Sequence, residues 1–215
     1  GERQSAAEVI KRELIGVAGF VGVVWAMYLL SLVVWSLSGL DLNAVLGLQP
    51  RTLWGLPGIL VSPFLHADLM HLFGNTIPLF ILLALLASSK ARWWTIVGAI
   101  ILLGGGLLWL LGRSQEFSGK PLSHVGASGL VFGLISFLIF SGALERRMVS
   151  LAVAAVVLVF YGSTLLIGVL PLDSEVSWDG HLCGAVAGGL IAYGLTLLPS
   201  GNDLDEIAGD FDSLK

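Results

Sequence analysis

Charge is scarce in this chain of 215 residues. Asp, Glu, Lys and Arg make up 12% of it, about half the share found in soluble globular domains. Hydrophobic residues make up 56%. With 11 Lys+Arg and 15 Asp+Glu, too little charged surface exists for a water-soluble fold of this size. The same apolar richness excludes disorder, because disordered chains lack the apolar surface needed to order them. No basic cluster occurs and the net charge is −4, which excludes a nucleic-acid partner. The one cysteine, Cys183, rules out an intrachain disulfide framework and a multi-cysteine metal site. Repeats are missing too, as is a matched pair of broken helices, which argues against an inverted-repeat transporter. What these gaps leave is an integral membrane protein built as one bundle.

Six long stretches contain no charged residue: 14–40, 69–89, 93–112, 121–144, 148–172 and 180–202. Each is long enough to cross ~30 Å of hydrocarbon as a helix. Helices are the default because an open sheet edge cannot exist in lipid. The expected fold is an all-α membrane protein with a bundle of six transmembrane helices. A seventh charge-free stretch, 52–67, holds Gly55, Pro57, Gly58 and Pro63. It is too short and broken to span, so a long, partly inserted loop is expected between the first two helices. Trp54 on that loop suits the aromatic belt at the headgroups.

Basic residues set the expected orientation. Arg3, Lys11, Arg12, Lys90, Arg92, Arg146, Arg147 and Lys215 fall on one side. Only Arg51, Arg113 and Lys120 fall on the other. The positive-inside rule then places both termini in the cytoplasm of a multi-pass cell-membrane protein. Three parts are expected: a cytoplasmic N-terminal segment 1–13, the six-helix domain 14–200, and an acidic cytoplasmic tail 201–215. The first helix is too long, and lacks the small-residue site, for a cleaved signal peptide.

Polar groups inside the apolar stretches are the functional suspects. The ionisable ones are few, the four histidines His66, His71, His124 and His181, and with them come Asn75, Ser128 and Asp179. No Lys, Arg, Asp or Glu lies at mid-stretch, which argues against a proton relay or ion pump. Gly126-Ala127-Ser128-Gly129 opens an apolar run. Glycines there permit close backbone approach, and a helix N-terminus favours developing negative charge. The plainer reading is a small-residue helix contact.

Asp179-Gly180-His181 precedes Gly184, Ala185, Gly188 and Ala192, which share a helical face with His181. Gly129 and Gly133 offer a matching strip beside Ser128. Close approach of these helices would bring the imidazole to the hydroxyl, and a base within ~3 Å is what makes serine a nucleophile. A histidine bonded only for structure is the alternative. Asp179 is offset from His181 around the helix, so it is expected at the surface or in a loop and not as a third catalytic member. His71 and Asn75 are i and i+4, so both project from one face. Two neutral donors on one face suit an oxyanion site; a helix–helix hydrogen bond is the alternative. A metal site is not expected, since His-Glu-x-x-His is missing and no carboxylate lies at ligand spacing. No cofactor is expected either.

The ordered set — His-x-x-x-Asn, then Gly-Ala-Ser-Gly, then His on a later helix — resembles the rhomboid intramembrane serine proteases of the bacterial six-helix type. The resemblance covers roughly 50–198. It implies that Ser128 is the nucleophile and His181 the general base. It implies an oxyanion site of His71, Asn75 and the backbone N–H of Ser128. His66 matches a family histidine that helps hold the first loop, and Gly126 and Gly129 support the serine. Many members carry Trp-Arg in the first loop, where this chain has Pro57-Gly58. Many stack a tyrosine on the histidine, where this chain has Phe132. The implied partners are transmembrane protein substrates and the lipid bilayer. The oligomeric state is not given by the sequence. Two other classes compete: a rhomboid-like pseudoprotease that binds membrane clients without cutting them, and a small-solute transporter. Intact Ser128 and His181 argue against the first, and missing midplane charges against the second.

Overall fold

The computed structural model describes residues 6–90, 92–115, 121–172 and 177–198. The first residues, Lys120 and the acidic tail expected at 201–215 lie outside them. Among the described residues the structure is helical, with only isolated β-bridges and no strand. Six helices have 18 or more residues. They are α1 (Ala6–Ser38), α4 (Leu69–Ser89), α5 (Trp93–Leu111), α6 (Ser128–Glu145), α7 (Met148–Gly168) and α8 (Trp178–Thr196). Two short helices, α2 (Leu42–Leu46) and α3 (Gly58–Val61), lie between α1 and α4 with two 3₁₀ turns, Leu53–Gly55 and Ser62–Phe64.

The charge-free stretches mark these helices closely, with instructive exceptions. α4 fills its stretch and starts where Asp68 accepts the His71 N–H at 2.8 Å, an N-cap. α1 begins eight residues earlier than its stretch, at Ala6, and runs through Lys11, Arg12 and Glu13. Its 33 residues reach about 50 Å. α6 begins at Ser128, seven residues later than its stretch.

α1, α4, α5, α6 and α7 are long and apolar enough to cross a membrane. That is the make-up of a multi-pass membrane protein. α8, the sixth expected span, has 19 residues, but Asp179, His181 and its glycines keep it less apolar than the rest. Large apolar side chains face outward, among them Trp35, Leu103, Val159 and Phe160. In water so much exposed apolar surface would drive association; lipid is the solvent that suits it.

α6 is the centre of the bundle, with Leu134, Ile135 and Phe137 fully buried. It runs parallel to α8 at backbone contact. A Cβ on Gly184 would overlap the carbonyl oxygen of Gly129, and one on Gly188 that of Gly133. Glycine is therefore required at both positions. Gly184, Gly188 and Ala192 are buried in this contact. Ala185, expected on the same strip, instead lines an apolar groove that α6, α7 and α8 form together.

The segment between α1 and α4 packs on the turn before α6. Leu48 and His124 exchange backbone hydrogen bonds of 3.0 and 2.8 Å. The Gly126 N–H donates to Ser62 O at 2.9 Å. The Asn43 amide donates to His66 O at 3.2 Å, and the Ser123 hydroxyl to Asn43 O at 2.7 Å. These long-range bonds hold 121–127 out of the helix. At the opposite end Lys90 pairs with Glu145, which also accepts the hydroxyls of Ser141 and Ser150, each at 2.8 Å.

Candidate active site

Ser128 is the first residue of α6. The chain reaches it through Gly126, whose φ is +112°, a conformation natural only to glycine. Space demands glycine there too. A Cβ on Gly126 would lie 2.6 Å from His71 Nε2 and 3.7 Å from Asn75 Nδ2. The His71 ring and the Asn75 amide thus lie against the backbone two residues before Ser128. Asn75 is buried and donates one hydrogen to His71 O at 3.0 Å, leaving its second N–H for another acceptor. The N-cap, Ala127, supplies no side-chain acceptor. The first intrahelical bond in this turn runs from Val131 N–H to Ala127 O, so the N–H groups of the first residues lack helical partners.

His66 sits beneath this turn, fully buried, with its ring edge-on to His71 at 5.1 Å. Its Nε2 faces the Ala127 N–H at 3.5 Å. Burial, helped by the neighbouring His71, pushes the His66 imidazole down to about 4, so it stays neutral near pH 7.

His181 lies one turn into α8. Its Nδ1 is 2.8 Å from the carbonyl oxygen of Gly168, the last residue of α7. A carbonyl only accepts, so Nδ1 carries the hydrogen and Nε2 keeps its lone pair. The ring stacks on Phe132 at 4.0 Å with an interplanar angle of 6°. Phe132 is four residues beyond Ser128, on the same face of α6. Gly168 is shaped for this as well, since a Cβ there would enter the Phe132 ring. The Ser128 hydroxyl makes no hydrogen bond among the described residues, so contact with His181 is not closed in this state. Such bonds commonly tighten only when substrate arrives.

A cavity of about 50 Å³ opens beside Ser128, lined also by His124, Ser177 and Gly180. It has room for water at roughly 10–15 Å³ per molecule.

Two placements differ from expectation or were not foreseen. Asp179, expected at the surface or in a loop, is buried in the first turn of α8. Its carboxylate accepts the Arg113 N–H at 2.8 Å and Arg113 Nη2 at 3.2 Å, which accounts for its burial. Gly168 was not anticipated, because a carbonyl's role carries no side-chain signal. No group of three or more His, Cys, Asp or Glu that could hold a metal occurs among the described residues.

The bundle and its site define a class: a helical membrane protein with a serine at the start of one helix and a histidine in the first turns of another, stacked on the serine's helix through Phe132. Comparison with known proteins gives the family. The Rhomboid domain profile matches residues 50–198. The chain is 40% identical over 190 residues to the Mycobacterium tuberculosis protein Rv1337, covering 85% of this chain and 76% of that one. It is 30% identical over 152 residues to L523 of Acanthamoeba polyphaga mimivirus, named as a candidate rhomboid protein, covering 69% and 80%. YdcA of Bacillus subtilis, named as a candidate rhomboid protease, is 25% identical over 139 residues, covering 62% and 65%. The chain belongs to the rhomboid family.

Proposed function

We propose that this chain is an intramembrane serine endopeptidase that cuts transmembrane segments of membrane proteins with a Ser128–His181 dyad. The observation that carries the reading is the orientation of His181. Gly168 holds its Nδ1 hydrogen and Phe132, on the helix that begins with Ser128, holds its ring face, so Nε2 keeps the lone pair a base needs. Ser128 Oγ attacks the scissile carbonyl while its proton passes to Nε2. Negative charge builds on the carbonyl oxygen, where His71, Asn75 and the Ser128 N–H donate to it. As the intermediate collapses, His181 gives the proton to the leaving amine. Water, deprotonated by the same nitrogen, then releases the acyl group.

In this reading α8 is the sixth span, and its polar first turn is the price of placing a base inside the bundle. Domain 14–200 carries the activity, with 1–13 and the tail in the cytoplasm. The site opens to the non-cytoplasmic side of the cell membrane, through the segment between α1 and α4. A scissile bond must first leave its helix, because helical carbonyls are already hydrogen-bonded. Substrates with Gly or Pro near the outer end are therefore cut faster than Leu-substituted ones.

The test is cleavage of a fluorescent transmembrane peptide by the detergent-solubilised chain. Wild type cuts it, and Ser128→Ala reduces turnover by at least about 10³-fold with folding retained. Binding of the peptide by both proteins without cleavage would instead establish a client-binding pseudoprotease.

A further inference from the structure

Beside Ser128 lies a partly buried polar ring that the mechanism above does not use. It joins three separate chain segments. At the end of α5, the Arg113 N–H donates to Asp179 Oδ2 at 2.8 Å, and its Nη2 to Oδ1 at 3.2 Å. In the segment before α6, His124 Nε2 lies 2.9 Å from Arg113 O, so it donates there. His124 Nδ1, left as the acceptor, takes the Ser177 hydroxyl at 2.7 Å. Ser177 Oγ also lies 3.3 Å from Asp179 Oδ1, and its single hydrogen serves either that oxygen or His124 Nδ1, which ties the two ends of the ring to one hydroxyl. The Arg113 guanidinium in turn sits 5.4 Å above the Trp178 ring. His124 and Asp179 are both buried, and their nearest side-chain nitrogen and oxygen are 3.8 Å apart.

The ring's position along the chain gives it its meaning. His124 stands four residues before Ser128, and Asp179 two residues before His181. Ser177 is the N-cap of α8 and makes no capping bond, its hydroxyl being turned to His124 and Asp179 instead. Its carbonyl still accepts the His181 N–H at 3.0 Å. Asp179 cannot serve as a third catalytic member, since His181 Nδ1 is taken by Gly168. It holds the start of α8 to Arg113, and Arg113 holds His124. His124 and Ser177 also line the cavity that Ser128 lines.

We propose that Asp179, acting through Arg113 and His124, is a positioning residue that sets the start of α8 against the turn before Ser128, and so sets the distance between the two dyad side chains. This rests on the Ser–His protease reading. A buried carboxylate is expensive unless fully paired, and here its partners all lead to the two catalytic segments. A displacement of about 1 Å between reacting groups costs about 10²-fold in rate.

The test uses the full chain in detergent with two readouts. One is covalent labelling of Ser128 by a fluorophosphonate, in which Oγ bonds phosphorus and fluoride leaves. The other is peptide turnover. Asp179→Ala is expected to label to the wild-type extent but about 10- to 100-fold more slowly. Its kcat falls in step while KM stays within about twofold. Asp179→Asn keeps an acceptor for the Arg113 N–H and recovers part of the rate. His124→Ala slows labelling as well, and the double variant is no slower than the worse single one, because both belong to one ring. A wild-type labelling rate in Asp179→Ala overturns the proposal. So does a reduced extent of labelling at wild-type rate, which marks lost folding alone, or full additivity in the double variant. If wild type itself neither labels nor cleaves, the protease reading fails and the positioning role falls with it.

Discussion

α6 and α7 are neighbours in sequence and look alike there, two apolar helices joined at Arg146 and Arg147. In the fold they are opposites. Eleven of the 18 residues of α6 are buried, against three of the 21 in α7. α6 meets α8 through backbone at Gly129 and Gly133, whereas α7 turns Val159 and Phe160 outward at 77% and 71% exposure. The helix that carries the serine is buried over most of its length, with Phe140 and Leu144 near its far end among the exposed side chains. The helix that lends only a carbonyl, Gly168 O, faces lipid along most of its length. Precise chemistry needs the first arrangement, since reacting groups must be held to within ångströms.

The contrast is sharpest in a pair of substitutions. Gly184→Leu on α8 drives a side chain into the Gly129 carbonyl, where backbone cannot yield. Ordinary overpacking costs about 1–3 kcal/mol; here the helix pair must part, and no active protein is expected. Val159→Leu on α7 changes only a lipid-facing side chain and should leave peptide turnover and melting temperature at wild type. Equal tolerance at both positions, read by turnover, would break the comparison.

Next in size are the donors facing Gly126. His71→Ala and Asn75→Ala should each lower kcat by about 10²–10³-fold with KM little changed, because oxyanion donors act in the transition state. A loss confined to KM would mark them as helix contacts instead. Phe132→Leu removes the ring on His181 while keeping the helix apolar. An aromatic pair of this kind contributes about 0.5–1.5 kcal/mol, so turnover should fall about 2- to 10-fold. Phe132→Tyr should restore it, and a Leu variant at full rate would show that Gly168 alone orients the imidazole.

The smallest effect is a pH response confined to the site side of the molecule, since α7 carries no titratable side chain but Tyr161. Burial lowers His66 to about 4, and burial lowers His124 as well. Each binds a proton more readily when unfolded. Their contribution is present above the ordinary histidine value near 6.5 and is lost as pH falls from there toward 4. The melting temperature in detergent should drop over that window, and His66→Gln should flatten the drop. An unchanged slope would mean His66 is paired differently from its place under Ala127.

Much of the fold could be read from the charge gaps. Lipid tolerates neither charges nor unpaired backbone, so an uncharged stretch of sufficient length becomes a helix wherever it sits. α4 and the start of α7 lie where those gaps put them. The spacing His71–Asn75 and, Ala185 excepted, the small strip after His181 were legible for a similar reason, because helical period is local.

What the sequence could not decide depended on contacts between distant segments. The fourth gap ran from 121 and Gly126-Ala127-Ser128-Gly129 marked a helix start within it, but not what delays α6 until Ser128: Leu48 and Ser62 bind the backbone of His124 and Gly126. That delay places Ser128 at a helix start, where its N–H lacks an intrahelical partner. Asp179 read as a surface or loop group because its offset from His181 keeps the two off one helical face; Arg113, 66 positions away, supplies the bonds that let it be buried. The orientation of His181 rests on a Gly168 carbonyl, and a carbonyl is common to every residue. The chain's composition and periodicity determined which segments become helices, while packing determined which atoms of those helices face one another. The first follows from each segment's own solvation, and the second from shape matching between segments that meet only after folding.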